Sequence, residues 1–272
     1  MANEGRVRVA VDERGVARVA LTRADKHNGL DFEMIRALLA ASKSLKRRRD
    51  LRAVILYAEG PSFCAGLDFK AVMGQPQKAL LGYLQLFKPW RNDFQNVNLN
   101  WRDLPVPVIA AIHGNCFGGG IQLALAADFR IARPDAKLSV MEAKWGLIPD
   151  MGGMALLRDL LPRDLALELT MTGRVLSGEE SLRLGLVTKL ADDPFAAAET
   201  LADEILTRSP DSVAASKRLF EDAWHGSEYG ALAAERRWQR KLLGSKNQRI
   251  AVKNNLSAKS EKGAPFLPRR IG

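Results

Sequence analysis

Cysteine and histidine are scarce in this 272-residue chain, and the shortage excludes several kinds of protein at once. Cys64 and Cys116 cannot build a disulfide framework, and His27, His113 and His225 are scattered without metal-ligand spacing, so a reducing compartment and no structural metal are expected. No apolar run approaches the roughly 18 residues of a membrane span, and residues 1–8 lack the apolar segment of about 7–15 residues that a secretion signal needs. A soluble cytoplasmic protein without membrane partners is the expectation. There is no Gly-x-Ser-x-Gly elbow, no Walker loop and no dinucleotide fingerprint, which removes the usual support for hydrolase, nucleotide-binding and hydride-transfer readings. Disorder is excluded as a global description, because 47% hydrophobic content at this length can bury a sizeable core.

Basic residues are plentiful: the formal net charge is +10, and residues 209–272 hold 13 Lys and Arg against 6 Asp and Glu, a net of +7. Such a tail suits an anionic partner or a solvated helical surface. Residues 15–21, 53–57 and 106–112 read as strands bounded by Gly and Pro. Asp31 is placed to cap a helix with Ile35, Leu38, Leu39, Ser42 and Leu45 on one face, ending in the cations Lys46, Arg47, Arg48 and Arg49. Leu80, Tyr83, Leu84, Phe87, Trp90, Phe94, Val97 and Trp101 form a helical stripe from about Gln77, kinked at Pro89 and expected to be core. Ser177 and Glu180 fit a capping box. From Asp193 onward the pattern turns helical, at roughly 195–208, 211–224, 229–243 and 246–258. Alternating strands and helices followed by helices alone imply an α/β core over residues 1–193 with a helical region over 194–272.

Chemistry concentrates in two glycine turns and two acids. Gly118, Gly119 and Gly120 follow an apolar run and open into a helix, a backbone suited to close approach with unpaired N–H groups facing out. A second turn runs Phe63-Cys64-Ala65-Gly66-Leu67-Asp68. If the fold joins them, the N–H groups of Leu67 and Gly119 make an oxyanion hole, each donor worth roughly 10²–10³ in rate, about 3–4 kcal/mol. Taken on spacing alone the two turns need not be related. Glu142 and Asp150 are separated by Gly146 and Pro149, placing them on an irregular loop. There they can flank a substrate, one ionised as base and the other protonated as acid, or be ordinary surface acids. His113 has no Ser or Cys nearby to suggest a triad and reads as structural.

Taken together, Ser62 through Asp68, Pro107 through Asp128, and Met141-Glu142 through Gly152-Gly153 resemble the crotonase (enoyl-CoA hydratase/isomerase) superfamily in order and spacing. The likeness extends from the 23–30 loop through Thr172-Gly173 and Gly185-Leu186-Val187 to the tail. It implies a superhelix of ββα units with a helical C-terminal trimerisation region, assembled as a homotrimer or a dimer of trimers. It also implies acyl-CoA thioester substrates and no cofactor beyond that CoA. By the same resemblance the thioester oxygen meets the N–H groups of Leu67 and Gly119, while Lys26, Ala65, Gly66, Asp68, Lys70 and Gln122 lie against the substrate, and the basic tail meets CoA phosphates.

Hydratases of the family carry carboxylates at the positions of Gln122 and Glu142; an amide at 122 cannot accept a proton. Glu142 matches the base position of enoyl-CoA isomerases, and Asp150 matches the second acid of dienoyl-CoA isomerases, which usually carry Asp where Gln122 stands. The resemblance therefore points to an isomerase that moves double bonds in an enoyl- or dienoyl-CoA, with Glu142 and Asp150 transferring protons. Three alternatives stand beside it: a hydratase using Glu142 with Gln122 orienting water; a hydroxyacyl-CoA hydrolase, similar in the 149–153 run; and RNA binding through the 46–49 cluster and the tail. The last ranks lowest, since helix-end cations already have a structural explanation.

Overall fold

The computed structural model describes residues 5–257 and 263–272. Its strands are β1 (Val7–Val11), β2 (Val16–Leu21), β3 (Ala53–Ala58), β4 (Val108–Ile112), β5 (Asn115–Phe117), β6 (Phe129–Ala132), β7 (Lys137–Ser139), β8 (Leu176–Ser177) and β9 (Lys189–Leu190). Its helices are α1 (Phe32–Lys46), α2 (Phe69–Met73), α3 (Pro76–Leu84), α4 (Asp93–Arg102), α5 (Gly119–Leu125), α6 (Gly153–Leu157), α7 (Arg163–Thr172), α8 (Gly178–Leu184), α9 (Pro194–Leu206), α10 (Pro210–Ala223), α11 (Glu228–Leu242) and α12 (Lys246–Leu256). The chain repeats two strands and then a helix, as in β1-β2-α1 and β4-β5-α5. The main sheet runs β1-β2-β3-β4-β6-β9, parallel except for the β1-β2 hairpin, and a small sheet runs β5-β7-β8.

The apolar runs Ala53–Ala58 and Val108–Ile112 are continuous because both faces of a parallel sheet are covered. Val54, Leu56, Val108 and Ala110 point to one face and pack with Met34, Leu38 and Leu45 of α1. Ala53, Ile55, Ile109 and Ala111 point to the other and pack with Ala198 and Ala202 of α9. Asp31 caps α1 as expected, accepting from the Met34 N–H at 2.7 Å.

The α9 packing refines the division at residue 193, since this helix closes the second face of the sheet. The purely helical region begins with α10, whose Ala214 and Ala215 share a small cluster with Ile271, Trp238 and Leu242. The kinked stripe over 77–101 is corrected. Two helices, α3 and α4, are separated by a 3-10 turn and an extended break. Val97 and Trp101 are buried, whereas Leu80, Tyr83, Leu84, Phe87 and Trp90 are exposed; helical spacing shows which residues share a face but not what covers it. Half of the expected capping box forms: Ser177 accepts from the Glu180 N–H, while the Glu180 carboxylate turns to Arg174. The four C-terminal helices fall where the sequence places them, apart from residue 258, which lies outside the described residues. Among the described residues no helix is long and apolar enough to cross a membrane.

Candidate active site

The two glycine turns meet. The 63–64 segment pairs alongside β5, with the Phe63 N–H donating to the His113 carbonyl at 2.9 Å, Cys64 N–H to Asn115 at 3.0 Å, and Phe117 N–H back to Cys64 at 2.9 Å. This adds a further extended segment to the small sheet, bridging Cys64 to Cys116. Gly120 makes the approach possible: a Cβ there would lie 2.4 Å from the Cys64 carbonyl oxygen and 2.7 Å from the Cys64 Cβ. Gly66 adopts φ +89° with its Cα face against the Phe117 carbonyl, where a Cβ would come within 2.8 Å. Leu30 pairs with the next residue, its N–H bonded to the Gly66 carbonyl at 2.8 Å and its carbonyl to the Asp68 N–H at 3.0 Å, so Leu67 N–H points away from Leu30. Among the described residues neither the Leu67 N–H nor the Gly119 N–H has a protein acceptor. Gly119 opens α5, where an N–H has no partner within the helix. Two such donors on adjoining turns are what a developing oxyanion requires.

The same helix N-terminus touches the acidic loop. A Cβ at Gly118 would stand 3.5 Å from Glu142 Oε1, and one at Gly119 would stand 2.9 Å from Met151 Sδ. Glu142 begins the 3-10 turn Glu142–Trp145 and is buried. Gln122, fully enclosed on α5, accepts from the Met151 N–H at 3.0 Å through Oε1 and donates through Nε2 to Glu142 Oε1 at 2.6 Å. The backbone amide can only donate, so it fixes which end of the Gln122 amide faces Glu142. Glu142 Oε2 is buried without a hydrogen-bond partner among the described residues. Burial pushes the Glu142 carboxyl above its ordinary value, the Gln122 donation opposes the rise, and the charge of Asp150 adds to it. Asp150 sits at the solvent edge of the turn, where the surrounding protein still withdraws enough water to raise its carboxyl. The arrangement can therefore hold a negative oxygen at two N–H groups and exchange protons through two carboxyls of raised pKa.

The remaining expected residues divide. Ala65 is tied by its N–H to the His27 carbonyl at 2.9 Å, and Lys26 and Lys70 are exposed at the rim. Asp68 is anchored within its turn. Its carboxylate caps α2 by accepting from the Ala71 N–H at 3.0 Å and pairs with Arg23 at 2.8 Å, and these partners hold it below its usual range. These contacts brace the Leu67 turn. His113 bonds the Gly60 carbonyl at 2.8 Å and stays outside the site. Arg23, buried beneath the Leu67 turn, carried no signal in the sequence, since an isolated arginine reads as surface. Phe69 and Trp145 were likewise missed: they stack with centroids 4.6 Å apart, joining the donor turn to the turn that carries Glu142. In the 46–49 cluster, Arg48 pairs with Asp50 and Arg49 donates to the Gly272 carbonyl at 2.9 Å.

The sequence family described as enoyl-CoA hydratase/isomerase matches residues 12–266. The mitochondrial methylglutaconyl-CoA hydratase of Mus musculus is 31% identical over 254 residues, 90% of this chain and 79% of that protein. The carnitinyl-CoA dehydratase of Salmonella typhi is 34% identical over 205 residues, 72% of this chain and 73% of that one. Among solved structures, an enoyl-CoA hydratase from Mycobacterium smegmatis matches with a TM-score of 0.83 at 30% identity, covering 93% of this chain and 96% of that chain.

Proposed function

The chain belongs to the enoyl-CoA hydratase/isomerase family, and we propose that within it the protein is an isomerase that moves double bonds in an enoyl- or dienoyl-CoA. The thioester oxygen accepts from the Leu67 and Gly119 N–H groups. Glu142, ionised, takes a proton from the carbon next to the carbonyl, and the released electron pair moves onto that oxygen as an enolate conjugated with the rest of the chain. Asp150, protonated, returns a proton at the distant carbon as the enolate collapses. One proton leaves and one arrives, and re-equilibration of the two carboxyls completes the cycle. No separate cofactor enters this scheme.

One observation carries the reading: the 2.6 Å donation from Gln122 to Glu142. It turns residue 122 into an orienting donor, so the second proton-transfer group on this loop is Asp150. With both carboxyls raised, activity requires one ionised and one protonated, and the rate should follow a bell in pH whose two limbs belong to the pair. Asp150→Asn tests the assignment: dienoyl conversion is expected to fall by about 10²–10⁴-fold, the span of lost general acid catalysis, with acyl-CoA affinity retained. Undiminished conversion would contradict it.

Hydration is the second reading, favoured by the hydratase and dehydratase named among the relatives. In it Glu142 alone activates water and Gln122 orients it. Gln122→Glu separates the two, because a carboxylate there supplies the missing second acceptor for water and sets a like charge beside Glu142. Crotonyl-CoA hydration is expected to rise at least about 10-fold and isomerisation to fall, as expected when one base is raised further by its neighbour. A fall in hydration would mean that the wild-type amide already does that work.

The proposal includes CoA held near Lys26 and Lys70 with the basic tail at its phosphates, and assembly as a homotrimer or dimer of trimers. Exposed Phe220 and Trp224, stacked at 5.4 Å on α10, fit a subunit contact.

A further inference from the structure

We propose that Asn98, on α4, is a positioning residue for Asp150. Asn98 is completely buried on α4, a helix that also buries Val97, Leu99 and Trp101. Its Nδ2 donates to the Met151 carbonyl at 2.8 Å. Its Oδ1 is buried with no hydrogen-bond partner among the described residues. A buried amide with an unmatched oxygen is destabilising, and a leucine of similar volume would avoid that cost, so packing alone does not account for an asparagine here. The donation to Met151 does.

Met151 is the residue that follows Asp150, and it is gripped from two helices. Gln122 of α5 accepts from its N–H and Asn98 of α4 donates to its carbonyl. Leu99, the next residue on α4, packs against the following turn residue, where a Cβ on Gly152 would lie 3.0 Å from Leu99 Cγ. The Asp150 carboxyl makes no side-chain hydrogen bond to another described residue, so its aim depends on where the main chain holds it. The two grips differ in reach. Gln122 also touches Glu142, so its loss disturbs both carboxyls, whereas the side-chain hydrogen bond of Asn98 among the described residues goes to the Asp150 side of the loop. Asn98 therefore acts on the second proton transfer and leaves the first alone. This rests on the reading that Asp150 returns the second proton.

The test uses the full chain with Asn98→Leu, and Asn98→Ser as a smaller replacement should the first not fold. Two rates are compared: exchange of the proton next to the thioester carbonyl with deuterated solvent, which needs only Glu142 and the oxyanion hole, and conversion of a 3,5-dienoyl-CoA, which also needs Asp150. Conversion is expected to fall about 10–100-fold with exchange and KM within about threefold, the scale of a misplaced catalytic group. Parallel loss of both rates would make Asn98 merely structural, and no loss in either would leave it without a role; each result overturns the proposal. Asp150→Asn is measured alongside. If it leaves conversion intact, the two-carboxylate reading is what fails, whatever the Asn98 variants do.

Discussion

Glu142→Gln is expected to lower turnover by about 10²–10⁴-fold while acyl-CoA affinity changes little, the pattern of a group that acts on the transition state. The replacement is nearly isosteric. Its amide oxygen can still accept from Gln122 Nε2, which now lies 2.6 Å from Glu142 Oε1, so the turn between β7 and α6 keeps its shape. What disappears is the ability to take a proton. The same substitution carries a stability signature of opposite sign. Burial and the Asp150 charge hold the folded-state carboxyl above its ordinary value of 4.5, so the folded protein binds the proton more tightly than the unfolded chain does. That linkage makes ionised Glu142 a destabilising group: stability falls as pH rises from about 4.5 through the folded-state value, and the loss persists at neutral pH. Removing the charge should therefore raise the melting temperature at pH 7, and the gain should shrink toward pH 4.5. Thermal melts of both proteins across that range check this, and a variant less stable at every pH would contradict the burial argument.

Gly120→Ala is expected to be as damaging without touching any group that reacts. The new methyl would lie 2.4 Å from the Cys64 carbonyl oxygen and 2.7 Å from its Cβ, both on fixed structure, so the turns must separate. Cys64 leads directly to Gly66 and Leu67, and Gly120 follows Gly119. Separation therefore widens the gap between the two donor N–H groups. Loss of one such donor is worth about 3–4 kcal/mol, or 10²–10³ in rate, and overpacking adds about 1–3 kcal/mol of destabilisation. The measurement is kcat with a melting curve. Retained kcat in a folded variant would mean that the turns do not act as a pair.

How far the sequence carried these conclusions depended on the range of the interactions involved. The Asp31 cap, the buried strands and the late helices were legible because each rests on local chemistry: a carboxylate before a helix, a continuous apolar run, an amphipathic period. The donor turns were visible as glycines. Their pairing was not, because it depends on Cys64 lying beside Cys116, 52 positions away in sequence. The pairing of Asp68 with Arg23 was not legible either, because the partners are distant in sequence. The exposed side chains from Leu80 to Trp90 shared a period with buried Val97 and Trp101 of α4, and periodicity does not say which stretch of a stripe is covered. Asn98 gave no signal at all. An asparagine in a helix reads as surface, and its role emerges only with the Met151 carbonyl against it.

The most direct test of the central claim is ultraviolet turnover of the purified protein on crotonyl-CoA, a 3-enoyl-CoA and a 3,5-dienoyl-CoA side by side. Double-bond migration in the enoyl or dienoyl substrate outpacing crotonyl-CoA hydration is the predicted result. Dominant hydration of crotonyl-CoA, with no migration in the other two, would contradict it and make the protein a hydratase working with one carboxylate and one amide.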